Sequence, residues 1–495
     1  MSEKVALSSP VGRVVIATTV LGTAVAMLTG TVVNVALPSI ATDLGASTAE
    51  QQWVVNAFLL VLATLILIGG SLGDRYGRVR VYRIGVIWFA ATSLIAAVAP
   101  TIEILIGARL LMGIGGALLT PGSLAIIEAT LVKRDRGKGV GLWSGLTGIA
   151  AAVGPLVGGA LIEISWRWVF LVNLPVALAV ILLSPRVPET SDESASETRL
   201  DVAGAFLAAL ALGGITFGLI QGPAGGFALV DGLAVGLGIV ALVLLIPVER
   251  VAAEPMVPFR LFASRPFATA NLMTLLVYGG MGIVFFLLSI QLQVTAGWTP
   301  FEAGLALVPA TILLLLFSAQ AGSLAQRIGP RIPLSIGPLL IAGGMLLMTR
   351  IGPDATYLVD VFPAVVVFGI GLVASVAPVT ATALGSVPDQ RSGAASGANN
   401  AIARTGQLLA VAAVPPLVGL TGDALNNAAL LDSGFPDAMI VGASLVGAGA
   451  LVAALGLRSD DLTEGEDEPE EVSYYASCPI DGTHPSPVRE PESAV

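Results

Sequence analysis

The sequence predicts an all-α polytopic membrane protein. Three observations carry that reading. The 495 residues are 55% hydrophobic and only 12% charged, against a globular average of about 25% charged. Mean hydropathy is +0.88. Apolar stretches of about 20 residues, enough to cross roughly 30 Å of hydrocarbon, recur along nearly the whole chain. Lipid offers no partner for free backbone groups, so such runs must be helices.

Fourteen spans are expected, near 14–37, 50–71, 81–99, 102–125, 139–162, 168–184, 203–221, 229–248, 268–292, 303–324, 333–349, 359–383, 399–420 and 437–457. The first opens behind Lys4 and Arg13. It is too long for the apolar region of a signal peptide, and another span follows at once, so it is expected to be retained. Spans 2 and 3 are joined by a basic hinge, Gly70-Ser71-Leu72-Gly73-Asp74-Arg75-Tyr76-Gly77-Arg78-Val79-Arg80. About 250 residues later Gly322-Ser323-Leu324-Ala325-Gln326-Arg327-Ile328-Gly329-Pro330-Arg331 echoes it between spans 10 and 11, with Gln326 in place of Asp74. Weak internal symmetry of this kind marks transporters built from two halves. The expected division is therefore a six-helix bundle over 1–185, inserted helices 7 and 8 with their flanking loops over 186–265, and a second six-helix bundle over 266–457.

Basic residues in short loops mark the cytoplasmic side. With the amino terminus inside, Arg167 and Arg350 fall in outer loops, Arg109 and Arg404 lie within spans, and every other Lys and Arg is cytoplasmic. A multi-pass protein of the cell membrane with both termini in the cytoplasm follows. The formal charge of −10 comes largely from 458–495, where eight acids between Asp460 and Glu471 lie among Pro, Ser and Gly. Such a segment cannot bury enough apolar surface to fold and reads as a disordered acidic tail. Cys478 and His484, the only cysteine and histidine, fall short of a zinc site. No metal, cofactor or nucleic-acid partner is expected, and no catalytic constellation for an enzyme is present.

The hinge resembles the loop between helices 2 and 3 of the major facilitator superfamily. Leu28 to Pro38, Trp166 to Pro175, Gln293 through Gly297 to Pro309, and Gly393 to Arg404 resemble signatures of its 14-helix drug/proton antiporter branch. The resemblance covers most of residues 14–420 and implies the major facilitator fold and a multidrug-resistance-type exporter. It implies a cytoplasmic latch of Asp74 and Arg78 with a carboxylate at the inner end of helix 4, the place of Glu128. It also implies an antiporter signature in helix 5, where Gly154, Pro155, Gly158 and Gly159 would form a pivot. Small residues allow close helix approach and a mid-helix proline bends the helix, so pivot and tight packing both fit.

Arg109 is expected about 12 Å deep in helix 4. A guanidinium there costs ~2.5–3.5 kcal/mol on insertion scales and must face a watery cavity, a partner, or helix carbonyls. The family ties the Arg of this motif to proton transfer. Its helix 1 signature carries an acid where this chain has Thr29, which cannot titrate. Further candidates for cavity lining are Asn34, Asn56, Asn271, Tyr278, Gln291, Asn399 and Asn400, each of which could equally be interhelical glue. Arg404 is expected near the inner end of helix 13, snorkelling. The function implied is export of small amphipathic, drug-like molecules by a monomer in the bilayer, with protons as the coupling ion. Uncoupled or otherwise coupled export of an endogenous metabolite or lipid stays open, as does a non-transporting sensor of the same fold.

Overall fold

A computed structural model describes residues 4–191, 201–252, 255, 259–387 and 392–458. The acidic tail beyond Arg458, with Cys478 and His484, lies outside the described residues. Sixteen α-helices are present among them: α1 (Pro10–Leu44), α2 (Thr48–Tyr76), α3 (Arg78–Ala97), α4 (Ile102–Thr130), α5 (Lys133–Ile162), α6 (Trp168–Leu171), α7 (Asn173–Leu183), α8 (Val202–Gly225), α9 (Leu229–Val251), α10 (Arg265–Ile290), α11 (Pro300–Ala306), α12 (Val308–Ile328), α13 (Arg331–Met348), α14 (Phe362–Gly385), α15 (Ser392–Leu417) and α16 (Ala428–Gly456). Short π turns extend α10 through Thr295 and precede α14 from Tyr357.

Local chemistry explains the boundaries. Ser9 accepts from the Gly12 amide and Pro10 starts α1, which ends on Gly45 at φ 66°. Proline suits the first helical position, and a left-handed glycine closes the last turn. Ser47 with Glu50, and Thr299 with Glu302, form capping boxes on α2 and α11. At 35 residues and 1.5 Å each, α1 is about 52 Å long, more than a hydrocarbon core requires.

Among the described residues, twelve helical segments are long and apolar enough to cross a membrane. The spans expected at 139–162 and 399–420 fall in α5 and α15, helices of 30 and 26 residues that are not among the twelve. For α15 the reason is compositional: it carries Asn399, Asn400, Arg404 and Gln407.

Packing repeats itself along the chain. α1 packs on α5 and α7, α2 on α4, and α3 on α4 and α7; in the same order α10 packs on α15 and α16, α12 on α14, and α13 on α14 and α16. The two sets meet where α2 crosses α15, α5 crosses α11 and α12, and α1 touches α10. α8 leans on α2 and α15 with Trp53 and Phe217 in ring contact, while α9 packs mainly on α8 and leaves Leu237, Val240, Val243 and Leu244 exposed. An apolar helix bare on most of its circumference suits contact with lipid.

Both ends of the described chain lie at the end of the bundle that carries the two hinges. Val5 exchanges backbone hydrogen bonds with Thr130 and Val132, and the Leu7 amide donates to Asp135. Arg331 and Arg265 donate to the carbonyls of Ala454 and Leu455. We call this the hinge end, and the opposite end, with the α1–α2 turn, the far end.

Candidate functional site

At the hinge end, Arg78 Nε lies 2.7 Å from Asp74 Oδ1, one helical turn apart. Glu128, at the end of α4, is exposed and makes no hydrogen bond or ion pair among the described residues. A different carboxylate comes to the hinge. Glu189 accepts from the amides of Val79 (2.9 Å) and Arg80 (3.0 Å), capping α3. An anion at a helix amino terminus meets unsatisfied N–H groups and the positive end of the helix dipole. Gly77 makes room for it: its φ is 103°, and a Cβ there would stand 2.9 Å from the Glu189 carboxyl.

Arg109 is sealed in the seam between α2 and α4, 1% exposed. Its Nε donates to the Val54 carbonyl at 2.8 Å, and its guanidinium carbon sits 4.7 Å from the Phe58 ring centroid. A charged hydrogen bond of about 1.5–3 kcal/mol and a desolvated cation–π contact of about 2 kcal/mol match the ~2.5–3.5 kcal/mol cost of burial. Its Nη1 is buried without a hydrogen-bond partner among the described residues.

Thr29 is also enclosed. It shares hydrogen bonds with Asn173 (3.0 Å from Nδ2), which reaches on to Ser93 at 3.3 Å, joining α1, α3 and α7. Replacing Thr29 with Val is expected to destabilise the protein by about 1–3 kcal/mol, because the Asn173 amide is left buried with a partner missing. Thermal unfolding in detergent reads this. The double variant Thr29→Val, Asn173→Leu should recover most of the loss, and a single variant as stable as the parent would discard the triad as a structural unit.

The other candidates divide in the same way. Asn399 donates to Asn271 and Thr274, both at 3.1 Å, in the α10–α15 seam. Asn400 is exposed and bonds its own helix at Ser396. Gln291 ties α10 to the Ile351 carbonyl and Asp432 at the far end. Asn56 is fully buried with both amide atoms unpartnered. It lies one turn from Gln52, whose amide donates to the Val411 and Ala412 carbonyls, so it faces the α2–α15 seam. In α5, side chains at Gly154 and Gly158 would run into Thr31 and Val32 of α1, and one at Gly159 into the backbone of Pro300 and Phe301. Pro155 contributes the carbonyl against which Gly304 packs. These glycines admit α1 on one side and α11 on the other.

Arg404 differs most from expectation. α15 starts at Ser392, earlier than the hydropathy suggests, which sets Arg404 twelve residues in, about 18 Å from the helix start and near mid-depth. It is half-buried, donates to Gln407 Oε1 at 3.1 Å, lies 4.0 Å from Met27 Sδ of α1, and has Tyr278 of α10 as its electrostatic neighbour. This is where the two helix sets face each other in the middle of the molecule.

At the far end the sets are knitted together. The Thr48 amide donates to the Gly422 carbonyl (2.8 Å), Gln51 to Asn426 Oδ1 (2.9 Å), Asn426 to the Ala46 carbonyl (2.9 Å), and Gln293 to the Val35 carbonyl (2.9 Å). Among the described residues, the hydrogen bonds between α1–α7 and α10–α16 lie at this end or at mid-depth. Nearby, Asp43 takes hydrogen bonds from Trp166 (2.9 Å) and Arg167 (2.7 Å), which hold its carboxyl below the usual range. That cluster gives the Trp166-Arg167 pair a local structural role.

The family model of the Major Facilitator Superfamily matches residues 19–411. The chain belongs to that superfamily. It is 34% identical over 471 residues to the puromycin resistance protein pur8 of Streptomyces alboniger, covering 92% of each chain. It is 30% identical over 400 residues to the tetracenomycin C resistance and export protein of Streptomyces glaucescens, covering 80% of this chain and 74% of the relative. Among solved structures, a bacterial homolog of the human lysosomal transporter Spinster, inward-facing and unoccupied, superposes with a TM-score of 0.65 at 18% identity, over 92% of this chain and 99% of that one. The protein is thus a membrane transporter acting on small molecules, not an enzyme, with drug-resistance and efflux proteins as relatives.

The sequence singled out Arg109 and Thr29, which are enclosed within one helix set, and gave no central role to Arg404. It did not single out Ser93, Asn173, Gln407 or Glu189. Asn173, an amide in the middle of an apolar run before Pro175, carried a signal; the partnership with Thr29, 144 residues away, did not.

Proposed function

We propose that this protein exports small amphipathic, drug-like compounds by alternating access. Residues 1–185 and 266–457 act as two lobes, residues 186–265 flank the α2–α15 seam, and both termini and the Asp74 hinge face the cytoplasm. The observation that carries the reading is the one-ended seam: glycine crossings and hydrogen bonds join the lobes at the far end, while Arg404, Tyr278 and Met27 stand between them at mid-depth. This supports a state closed to the outside. The resistance and export relatives support outward transport of drug-like cargo.

In this reading Asp74 and Arg78, with Glu128 approaching them in the opposite state, bias the two conformations. Gly154, Pro155, Gly158 and Gly159 form the surface on which α5 turns. Tyr278 and Asn34 line the central space, whereas Arg109, Thr29, Gln291 and Asn399 hold their own lobes together. The coupling ion is the proton. The Thr29–Asn173 pairing favours a second reading, export without a helix 1 proton carrier.

Proteoliposomes with an imposed pH gradient and a panel of cationic, neutral and anionic amphiphiles test both. Accumulation that collapses with nigericin supports antiport, and flux indifferent to the gradient supports the second reading. No movement of any probe beyond protein-free vesicles would end the exporter reading.

A further inference from the structure

A guanidinium at mid-depth in a membrane protein ordinarily has a carboxylate or several carbonyls around it. Among the described residues Arg404 has neither: its partners are the neutral Gln407 Oε1 and the Met27 thioether, with Tyr278 beside them. The contrast with Arg109 is informative. That arginine is sealed against a carbonyl and an aromatic face, whereas Arg404 keeps part of its surface open.

The helix opposite is built to leave room. Met27, Gly30 and Asn34 share one face of α1. A Cβ on Gly30 would meet nothing within 4 Å. Asn34 is 8% exposed, and its Oδ1 is buried without a hydrogen-bond partner. A planar fork of donors on α15 thus meets a thioether on a face of α1 that also carries a free acceptor. The fork matches a carboxylate or phosphate.

We infer that the central space binds amphiphiles through a single anionic group held by Arg404, with the apolar body along Met27 and a hydrogen-bond donor of the ligand on Asn34 Oδ1. This rests on the exporter reading and narrows its cargo from amphipathic compounds in general to anionic ones. The same anion chemistry could be supplied by a soluble carboxylate or by a lipid phosphate.

The test uses the purified full-length chain and three dansyl probes with the same eleven-carbon tail, ending in a carboxylate, its methyl ester, or a trimethylammonium. Binding to the carboxylate is expected to be about tenfold or more tighter than to the ester, the effect of a charge-assisted hydrogen bond. Arg404→Gln should bring the two within about twofold, the ester serving as its own control. Gln407→Glu should do the same while keeping the arginine, because it installs an internal counter-charge where the amide oxygen now lies 3.1 Å away. Laurate and lysophosphatidylglycerol as competitors distinguish the two sources: displacement by either supports the inference, and the stronger names the source. Equal affinity of the unmodified protein for ester and carboxylate, or a preference undiminished in both monodisperse variants, overturns it. If the variants fail to fold, the probe preference of the unmodified chain and its competition by laurate decide. Transport of ester and cation without carboxylate preference would remove this inference and leave the exporter reading intact; no transport of any probe would remove the exporter reading itself.

Discussion

Replacing Gly159 with valine is expected to cut net transport by about tenfold or more while the protein remains folded. The Cβ of residue 159 would stand 2.7 Å from Phe301 Cα and from the Pro300 carbonyl oxygen. Both are backbone atoms, and a capping box fixes the start of α11, so no rotamer change relieves the clash. Overpacking of this kind costs about 1–3 kcal/mol. The cost falls on the state in which α5 and α11 touch and not on the state in which they separate, and only such a difference moves a conformational equilibrium. A shift of 1–3 kcal/mol changes relative populations by about 5–150-fold. A reporter thiol from Gln51→Cys, in a background with Cys478→Ser, should then be open to an impermeant maleimide, whereas the fully buried position in the parent protein is protected. Normal flux in Gly159→Val, or lost flux with the thiol still protected, would show that the crossing does not govern closure.

Asn56→Leu should have the opposite effect. Its amide is buried in the α2–α15 seam with neither the oxygen nor the nitrogen partnered. Leucine has the same number of side-chain heavy atoms, and its apolar side chain removes a desolvation penalty of about 1–3 kcal/mol. The closed far end gains that much, whereas in an opened seam an asparagine would be hydrated and leucine exposed. The variant should melt higher in detergent, protect the reporter thiol more fully, and transport more slowly by about 5-fold or more, because the seam reopens less often. Unchanged thiol protection together with a lower melting temperature would mean that Asn56 has a partner in the working protein that the closed form does not reveal.

Seen against these expectations, the sequence was most legible where one physical requirement dominates. Hydrocarbon demands long apolar helices, and twelve of the fourteen expected spans coincide with segments that meet that demand. α15 does not, because the amides and the charge that serve the interface between lobes dilute its hydropathy. The same dilution hid the start of α15 and so displaced Arg404 from mid-depth to a helix end. Partnerships between distant residues were the least legible. Nothing near Thr29 announces Asn173, and nothing near Gly77 announces Glu189, since a carboxylate on helix N–H groups needs only reach and a glycine beneath it. Arg109 was legible as an embedded charge; that its contacts are a carbonyl and a phenyl ring, with Nη1 left unpartnered, depends on how α2 packs on α4.

The alternation itself is tested most directly by spin-label distances measured between lobes at both ends of one protein sample. Labels at Ser71 and Ser323 report the hinge end, and labels at Thr42 and Asn427 the far end; all four positions are exposed. On adding a transported amphiphile, the hinge-end distance should shorten while the far-end distance lengthens. Two distances that stay fixed, or change in the same sense while flux is measurable, would contradict a transporter that works by exchanging one closed end for the other.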